Sequence, residues 1–324
     1  MDLQTIYAAI GFLLAAYAVV GNDSVQTLGT FIASNTRIIK WYWLWLAASV
    51  VLVFTLVYGW HINNGDISYG RLAKIPPVTF QWYHAAAPAV LVLLTRVGIP
   101  VSTTFLVLSV FASTVILEKV LVKSVVGYGL AAMCSYALWM IMGHFINEKF
   151  NTVKKGTRLG WRIAQWFATG FLWFTWLSHD MANIAVYLPR QLPFDMLIGV
   201  LAILIFWLGY IFYTHGGKIQ KIVLEKTGSR FIRSATIIDL VYAMILWYFK
   251  ELNSIPMSTT WVFVGVLTGR ELAIASVHRN TYKFGYVFPI IGRDFLKMVI
   301  GLSVSIAIVL SVHYIFMPDP STLE

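Results

Sequence analysis

Long apolar runs set the pattern of the chain, and polar residues gather in short stretches between them. The runs at 41–59, 123–146, 195–214 and 295–317 are each close to the length at which a helix crosses a bilayer, about 20 residues. They lack the alternation of apolar and polar positions that marks the strands of a membrane β-barrel. The pattern therefore predicts a bundle of membrane-spanning helices.

The composition leads to the same conclusion. Hydrophobic residues make up 59% of the 324 residues, charged residues make up 12%, and the mean hydropathy is +0.74, which lies outside the usual balance of a soluble domain. We expect an all-α polytopic membrane protein whose N-terminal run is retained as the first span. The single cysteine, Cys134, excludes a disulfide within the chain and a metal site built from cysteines.

The basic residues behind the net charge of +10 lie in short loops between apolar runs. They form no continuous patch interleaved with aromatic residues, so they do not indicate nucleic-acid binding. Loops 147–163 and 215–235 each hold five Lys or Arg residues against one Glu, and an excess of basic residues marks cytoplasmic loops. We expect both loops in the cytoplasm and both termini outside.

Two motifs repeat along the chain at nearly the same spacing. "GNDSVQT" (21–27) is similar to "SHDMANI" (178–184), and their aspartates are 157 residues apart. "GIPVSTTFLVLSV" (98–110) is similar to "SIPMSTTWVFVGV" (254–266), and their first serines are 156 residues apart. Two motifs repeated in register indicate two homologous halves, 1–156 and 157–324.

The charges of equivalent loops predict that the two halves are inverted. Loop 35–40 is basic, whereas its equivalent at 191–196 holds no Lys or Arg; loop 60–79 is nearly balanced, whereas its equivalent at 215–235 is basic. Equivalent loops therefore face opposite sides of the membrane, as inverted-topology repeats require. The predicted spans are 5–34, 41–59, 123–146, 164–190, 195–214 and 286–316.

Between these spans, 80–116 and 236–277 must each enter and leave on one face as a re-entrant hairpin. Each has two apolar arms separated by an Ile-Pro break, because proline removes an amide donor and disfavours helix before it. The tips are Ser102-Thr103-Thr104 and Ser258-Thr259-Thr260. An unwound tip at membrane depth must be buried in protein or line a cavity, and its hydroxyls and free amides suit an oxyanion. A carboxylate in a span, as at Asp23 and Asp180, is costly and usually functional.

These motifs resemble the inorganic phosphate transporter family. That family carries two inverted repeats, each with a Gly-Ala-Asn-Asp-x-Ala-Asn signature and a later Pro-Val-Ser-Thr-Thr-His motif. In this chain residues 21–26 and 178–183 match the first motif, and 100–104 and 256–260 match the second. The resemblance extends from about residue 5 to residue 275 and covers both halves.

The chain is similar to a short and divergent member of that family. Gln26 and His179 replace signature asparagines, and Phe105 and Trp261 replace the histidines that end the hairpin motifs. His179 could confer pH dependence or proton coupling, or it could replace asparagine as a neutral hydrogen-bonding group.

The resemblance implies cation-coupled uptake of phosphate by alternating access, with both signatures and both tips meeting at the bilayer midplane. The implied substrate-binding residues are Asp23, Gln26, Ser102, Thr103, Thr104, Asp180, Asn183, Ser258, Thr259 and Thr260. The implied coupling-ion residues are Asn22, Asp23, His179 and Asp180, with sodium at Asp23 and Asp180 favoured and a proton left open. The two aspartates could instead accept the phosphate proton.

The expected partners are inorganic phosphate and the lipid bilayer of the cell membrane, with no cofactor and with a homodimer left open. A sulfate or other oxyanion permease on the same scaffold is the main alternative. An intramembrane aspartyl protease also needs two carboxylates, but it has no use for the repeated Ser-Thr-Thr hairpins. A channel is disfavoured because discontinuous inverted-repeat sites suit alternating access.

Overall fold

The computed structural model of the chain describes residues 2–73, 75–97, 101–111, 114–145, 158–217, 220, 232–252, 257–277 and 284–316, and these ranges contain helices and no strand. The helices are α1 Leu3–Val19, α2 Val25–Asn35, α3 Trp41–Ile62, α4 Trp82–Val97, α5 Thr103–Leu106, α6 Thr114–Phe145, α7 Arg158–Asp180, α8 Ala182–Ala185, α9 Phe194–Tyr213, α10 Ile232–Leu252, α11 Thr259–Val277 and α12 Phe284–Ser311. A π-helical turn, Val20–Ser24, joins α1 to α2, and a second one, Val312–Phe316, follows α12.

Seven described helical stretches are long and apolar enough to cross a membrane, which confirms the predicted all-α polytopic membrane fold. Five of them, including 3–35, 41–62 and 194–213, are only 28–39% buried within the protein. Their exposed side chains are large and apolar, such as Phe54 and Phe206, as a lipid-facing surface requires. The windows at 232–249 and 259–277 are 78% and 83% buried, so these two helices lie inside the protein.

Small residues allow the second predicted hairpin to pack tightly on α6. A methyl group added at Gly265 would lie 2.5 Å from the carbonyl oxygen of Tyr128, and one at Gly269 would lie 2.0 Å from that of Ala132. The Ser135 hydroxyl crosses the same contact and donates to the Val266 carbonyl at 2.7 Å. Glycines four residues apart allow two membrane helices to approach closely, and this contact holds the tip of α11 in place.

Contacts between elements define two opposite faces of the bundle. On the Asp2 face, Asp2 and Arg190 line one cavity. On the Asn35 face, Arg162 donates to the Asn35 side-chain oxygen at 2.6 Å. The segment 3–35 runs from the first face to the second over about 50 Å, and α7 runs back from the second face. The two signature segments therefore run in opposite directions. The inversion of the two halves and their division at 156 stay predictions, and position 156 lies outside the described residues.

The first hairpin and one predicted span differ from the predicted pattern. The second arm of the first hairpin is split into α5 and a 3-10 turn, Leu108–Phe111, and α6 begins at Thr114, nine residues before the predicted span at 123. The Ser109 hydroxyl donates to the Thr104 carbonyl at 3.1 Å, a side-chain bond that competes with a continuous helix. In the second half, α7 ends at Asp180 and the predicted span 164–190 continues only as the short α8. The predicted Ile-Pro breaks at 99–100 and 255–256 lie outside the described residues.

Candidate functional site

The two signature segments bring Asp23 and Asp180 into one buried centre. Asp23 lies in the π-helical turn that joins α1 to α2, and such turns inside helices often mark functional sites. Asp180 is the last residue of α7. The exposed fractions of the two side chains are 0% and 1%, and Thr103 bonds both to Asp23 and to Asn183, three residues after Asp180. A buried carboxylate pair of this kind requires a cation, a proton or hydrogen-bond donors.

Asp23 receives hydrogen bonds from its own signature and from the first hairpin tip. The Thr103 hydroxyl donates to Oδ2 of Asp23 at 2.7 Å. The Asn22 amide nitrogen donates to Oδ1 at 2.5 Å, and the Gln26 amide nitrogen lies 3.4 Å from the same atom. Asn22 also donates to the Val101 carbonyl at 2.7 Å, so the signature and the tip are joined twice.

Asp180 has the same arrangement in the second half. The Thr259 hydroxyl donates to Oδ2 of Asp180, as Thr103 does to Asp23. The residue before the aspartate again contacts Oδ1, since His179 Nδ1 lies 3.1 Å from that atom. His179 therefore contacts the carboxylate at the position that Asn22 holds in the first half.

The two hairpin tips also bond to each other in a symmetric way. The Thr104 hydroxyl donates to the Met257 carbonyl at 3.3 Å, and the Thr260 hydroxyl donates to the Val101 carbonyl at 3.4 Å. The Asn183 amide nitrogen joins the centre by donating to the Thr103 hydroxyl oxygen at 2.9 Å. The structure thus brings the signatures and tips together through equivalent contacts.

The first serine of each tip has a structural task. Ser102 accepts the amide of Phe105 at 3.3 Å, and Ser258 accepts the amide of Trp261 at 3.2 Å, so each serine caps the helical turn that follows. The Phe105 and Trp261 rings, which replace the histidines of the family motif, lie 6.2 Å apart. These two positions meet at the centre as an aromatic contact.

Four predicted site residues carry a buried polar atom without a hydrogen-bond partner among the described residues. Three of these atoms are the side-chain oxygens of Asn22, Gln26 and Asn183, and the fourth is Nε2 of His179. Side-chain oxygens beside carboxylates are the ligands that hard cations prefer. The unbonded oxygens and the two carboxylates of the centre therefore fit a cation held close to the aspartates.

Comparison with known proteins shows a likeness in fold without a match in sequence. No protein-family model and no curated protein sequence matches the chain significantly. A solved structure of a sodium-dependent phosphate transporter aligns with it at a TM-score of 0.63, over 97% of this chain and 100% of that chain, at 17% identity. The chain has the fold of that transporter.

All ten predicted substrate-binding residues lie where the signatures and tips meet, and all are at most 6% exposed. Their roles stay predictions. The same holds for the coupling-ion residues Asn22 and His179, which contact the aspartates directly.

Three buried residues near this centre were missed by the sequence analysis. Arg71, 3% exposed, donates from Nε to the Ser178 carbonyl at 3.3 Å. The Tyr242 hydroxyl donates to the Thr259 carbonyl at 2.9 Å. Asp239, 1% exposed, lies inside the apolar run of the second hairpin. Only Asp239 carried a sequence signal, a carboxylate in a predicted membrane segment.

Proposed function

We propose that this protein is a secondary active transporter that takes up inorganic phosphate, driven by a cation gradient, with sodium favoured over protons. The paired Thr103–Asp23 and Thr259–Asp180 contacts are the main support, and the bond from Asn183 to Thr103 links the two pairs. The fold shared with a sodium-dependent phosphate transporter gives independent support. Alternating access around this centre is the mechanism that a discontinuous site at a repeat interface suits best.

The chemistry of the centre explains why anion and cation would move together. Two carboxylates in a buried site repel an anion unless cations neutralise them. Sodium bound by Asp23, Asp180 and the neighbouring side-chain oxygens removes that repulsion. The Thr103 and Thr259 hydroxyls, which donate to the aspartates in this structure, can then turn their single protons towards the phosphate oxygens. Binding of the cation before the anion couples the two fluxes.

Phosphate fits this donor and acceptor set better than sulfate does. Phosphate near neutral pH keeps a proton and can donate to a carboxylate, whereas sulfate offers acceptors only. A sulfate or other oxyanion permease remains the second candidate, because the threonine donors serve both anions. Peptide hydrolysis is disfavoured, since it gives no role to the two Ser-Thr-Thr tips that contact the aspartates.

Uptake into proteoliposomes tests the proposal. Labelled phosphate should accumulate when an inward sodium gradient is imposed, and excess sulfate should compete poorly. A proton gradient applied without sodium separates the two coupling ions. Saturable sulfate uptake in the absence of phosphate uptake would overturn the assignment.

The double variant Asp23→Asn, Asp180→Asn should lose concentrative uptake because it keeps the shape of the centre but deletes both charges. Asp195→Asn is a matched control, since Asp195 is exposed at the start of α9 and should leave uptake unchanged. A folded double variant that still concentrates phosphate against its gradient would disprove the role given to this centre.

A further inference from the structure

A contact on the Asp2 side of the site joins the second signature segment to the first hairpin. The Tyr187 hydroxyl donates to the main-chain carbonyl of His84 at 2.7 Å. Tyr187 lies seven residues after Asp180, and His84 lies 18 residues before Ser102. Tyr187 is 3% exposed and His84 is 0% exposed, so the bond is sealed inside the protein.

A second contact, on the Asn35 side, has the equivalent position in the other half. The Thr30 hydroxyl donates to the Asp239 carboxylate, and Thr169 of α7 donates to its other oxygen at 2.5 Å. Thr30 lies seven residues after Asp23, and Asp239 lies 19 residues before Ser258. The spacings match those of the first contact to within one residue.

Each contact joins a signature segment of one half to the first hairpin arm of the other half. Tyr187 follows the second signature and holds α4, whereas Thr30 follows the first signature and holds α10. Separation of a signature segment from the opposite hairpin on one side therefore breaks one contact and leaves the other intact. Two closures placed symmetrically about one site are what alternating access requires.

The Asp2-side contact borders a large cavity through Tyr187. This cavity, about 680 Å³, includes Phe80, Phe111 and Tyr187 in its lining. The Tyr187 ring lies 5.2 Å from Phe111 and 6.1 Å from Phe80, and the His84 ring stacks on Phe111 at 4.7 Å. These four rings form one cluster, and three of them line the cavity.

The α1 helix packs closely against this ring cluster. A methyl group added at Gly11 would lie 2.4 Å from the Tyr187 ring, so the tyrosine packs directly on the α1 backbone. On the Asn35 side, a smaller cavity of about 290 Å³ includes Thr169, whose hydroxyl bonds to Asp239. That cavity is lined by residues of α2, α3 and α7 and touches the aspartate contact through Thr169, whereas Tyr187 itself lines the larger cavity.

We infer that the Tyr187–His84 contact and the Thr30–Asp239 contact are the two gates of the transport cycle, both closed in this structure. The inference rests on the function proposed above and adds the groups that open and close the route. Opening towards the Asp2 face breaks the tyrosine contact, and opening towards the Asn35 face breaks the aspartate contact. Tyr187 and Asp239 are positioning residues, because neither bonds to Asp23 or Asp180.

Thiol labelling from each side of the membrane tests this inference. In a Cys134→Ser background, Ser109→Cys places a thiol between the first tip and Phe111, and Thr27→Cys places one between Asp23 and Thr30; both positions are buried. Tyr187→Phe should speed labelling at position 109 from the Asp2 face by about 3- to 10-fold, the population change expected from loss of one hydrogen bond. Thr30→Val should do the same at position 27 from the Asn35 face.

Matched deletions elsewhere provide the controls. Tyr69→Phe removes a tyrosine bond to the Thr55 carbonyl, and Thr55→Val removes a threonine bond to the Val51 carbonyl, both away from the gates. Neither control should change labelling at either thiol. Where a gate variant fails to fold, Phe111→Leu and Thr169→Val weaken the same two closures.

The pattern across faces decides the outcome. Each gate variant should speed labelling on its own face and leave labelling behind the other gate unchanged or slower. Equal increases on both faces indicate general loosening, and no increase at either thiol indicates structural contacts only; either result overturns the inference. Labelling does not require phosphate flux. The gate inference can therefore be confirmed when phosphate uptake is absent, and it can be overturned when phosphate uptake is present.

Discussion

At the residue scale, the site separates hydroxyls that bond to carboxylates from hydroxyls that cap helices. Thr103 and Thr259 donate to aspartates, whereas Ser102 and Ser258 accept main-chain amides. The sequence placed all of these in one class of oxyanion donors. The distinction depends on the side-chain direction at each tip, which a shared Ser-Thr-Thr sequence does not reveal.

This distinction gives a prediction for single hydroxyl deletions. Thr103→Val should raise the half-saturating concentration of phosphate or of sodium by about 5- to 150-fold. This factor corresponds to about 1–3 kcal/mol for a lost hydrogen bond to a charged group. Thr103→Ser keeps the hydroxyl and should retain most activity. Uptake kinetics in proteoliposomes measure both effects.

Ser102→Ala should behave differently from Thr103→Val. Loss of the cap should lower the free energy of unfolding by about 0.5–2 kcal/mol and leave the half-saturating phosphate concentration nearly unchanged. Thermal unfolding in detergent, measured beside uptake, checks the contrast. Identical kinetic losses in Thr103→Val and Ser102→Ala would show that the two hydroxyls are not distinct in function.

At the element scale, close packing of α11 on α6 positions the second tip. Gly269 lies against the α6 backbone, whereas Gly129 of α6 has open space at its Cβ position. Gly269→Ala should lower the free energy of unfolding by about 1–3 kcal/mol through overpacking. Gly129→Ala should be neutral or slightly stabilising, because alanine favours helix over glycine by about 0.5–1 kcal/mol.

Thermal unfolding midpoints of the two glycine variants in one detergent make this comparison direct. A midpoint for Gly269→Ala at or above that of the unchanged protein would contradict the close approach of α6 and α11. Uptake by the folded fraction should fall as well, because the Thr259 hydroxyl moves with the start of α11.

The sequence predicted these elements with uneven success. Spans bounded by charged loops or by a cap were accurate: 41–59 and 195–214 became Trp41–Ile62 and Phe194–Tyr213. The start of α6 and the division of α7 and α8 were less accurate, because the apolar pattern continues across both hairpin and span. Apolar content alone does not separate a helix that faces lipid from one that faces protein.

At the scale of the whole molecule, inversion of the halves gives a prediction about sidedness. Ile38 and Asp195 occupy equivalent positions by the 157-residue spacing, and both are exposed. With Cys134→Ser as the background, Ile38→Cys should be labelled only from the cytoplasmic side and Asp195→Cys only from outside, since basic loops lie on the cytoplasmic side. Labelling of both from one side would show that the halves are parallel.

The sequence by itself determined the membrane environment, the helical class, the repeated motifs and the residues that gather at the centre. These follow from apolar length, proline breaks and buried charge, which act within a few residues along the chain. The structure decided which atoms meet. Thr103 reaches Asp23 across 80 residues, and Thr104 reaches the Met257 carbonyl across 153.

Contacts over such separations depend on how whole helices pack, and a linear pattern carries little information about packing direction. Arg71 shows the limit most clearly: its loop gave no signal, yet its guanidinium lies against the second signature. Asp239 shows the opposite case, because its buried charge was visible in the sequence, while its threonine partners come from two other helices. The sequence therefore predicted which kinds of side chain the site contains, and the tertiary structure decided which of them are hydrogen-bond partners.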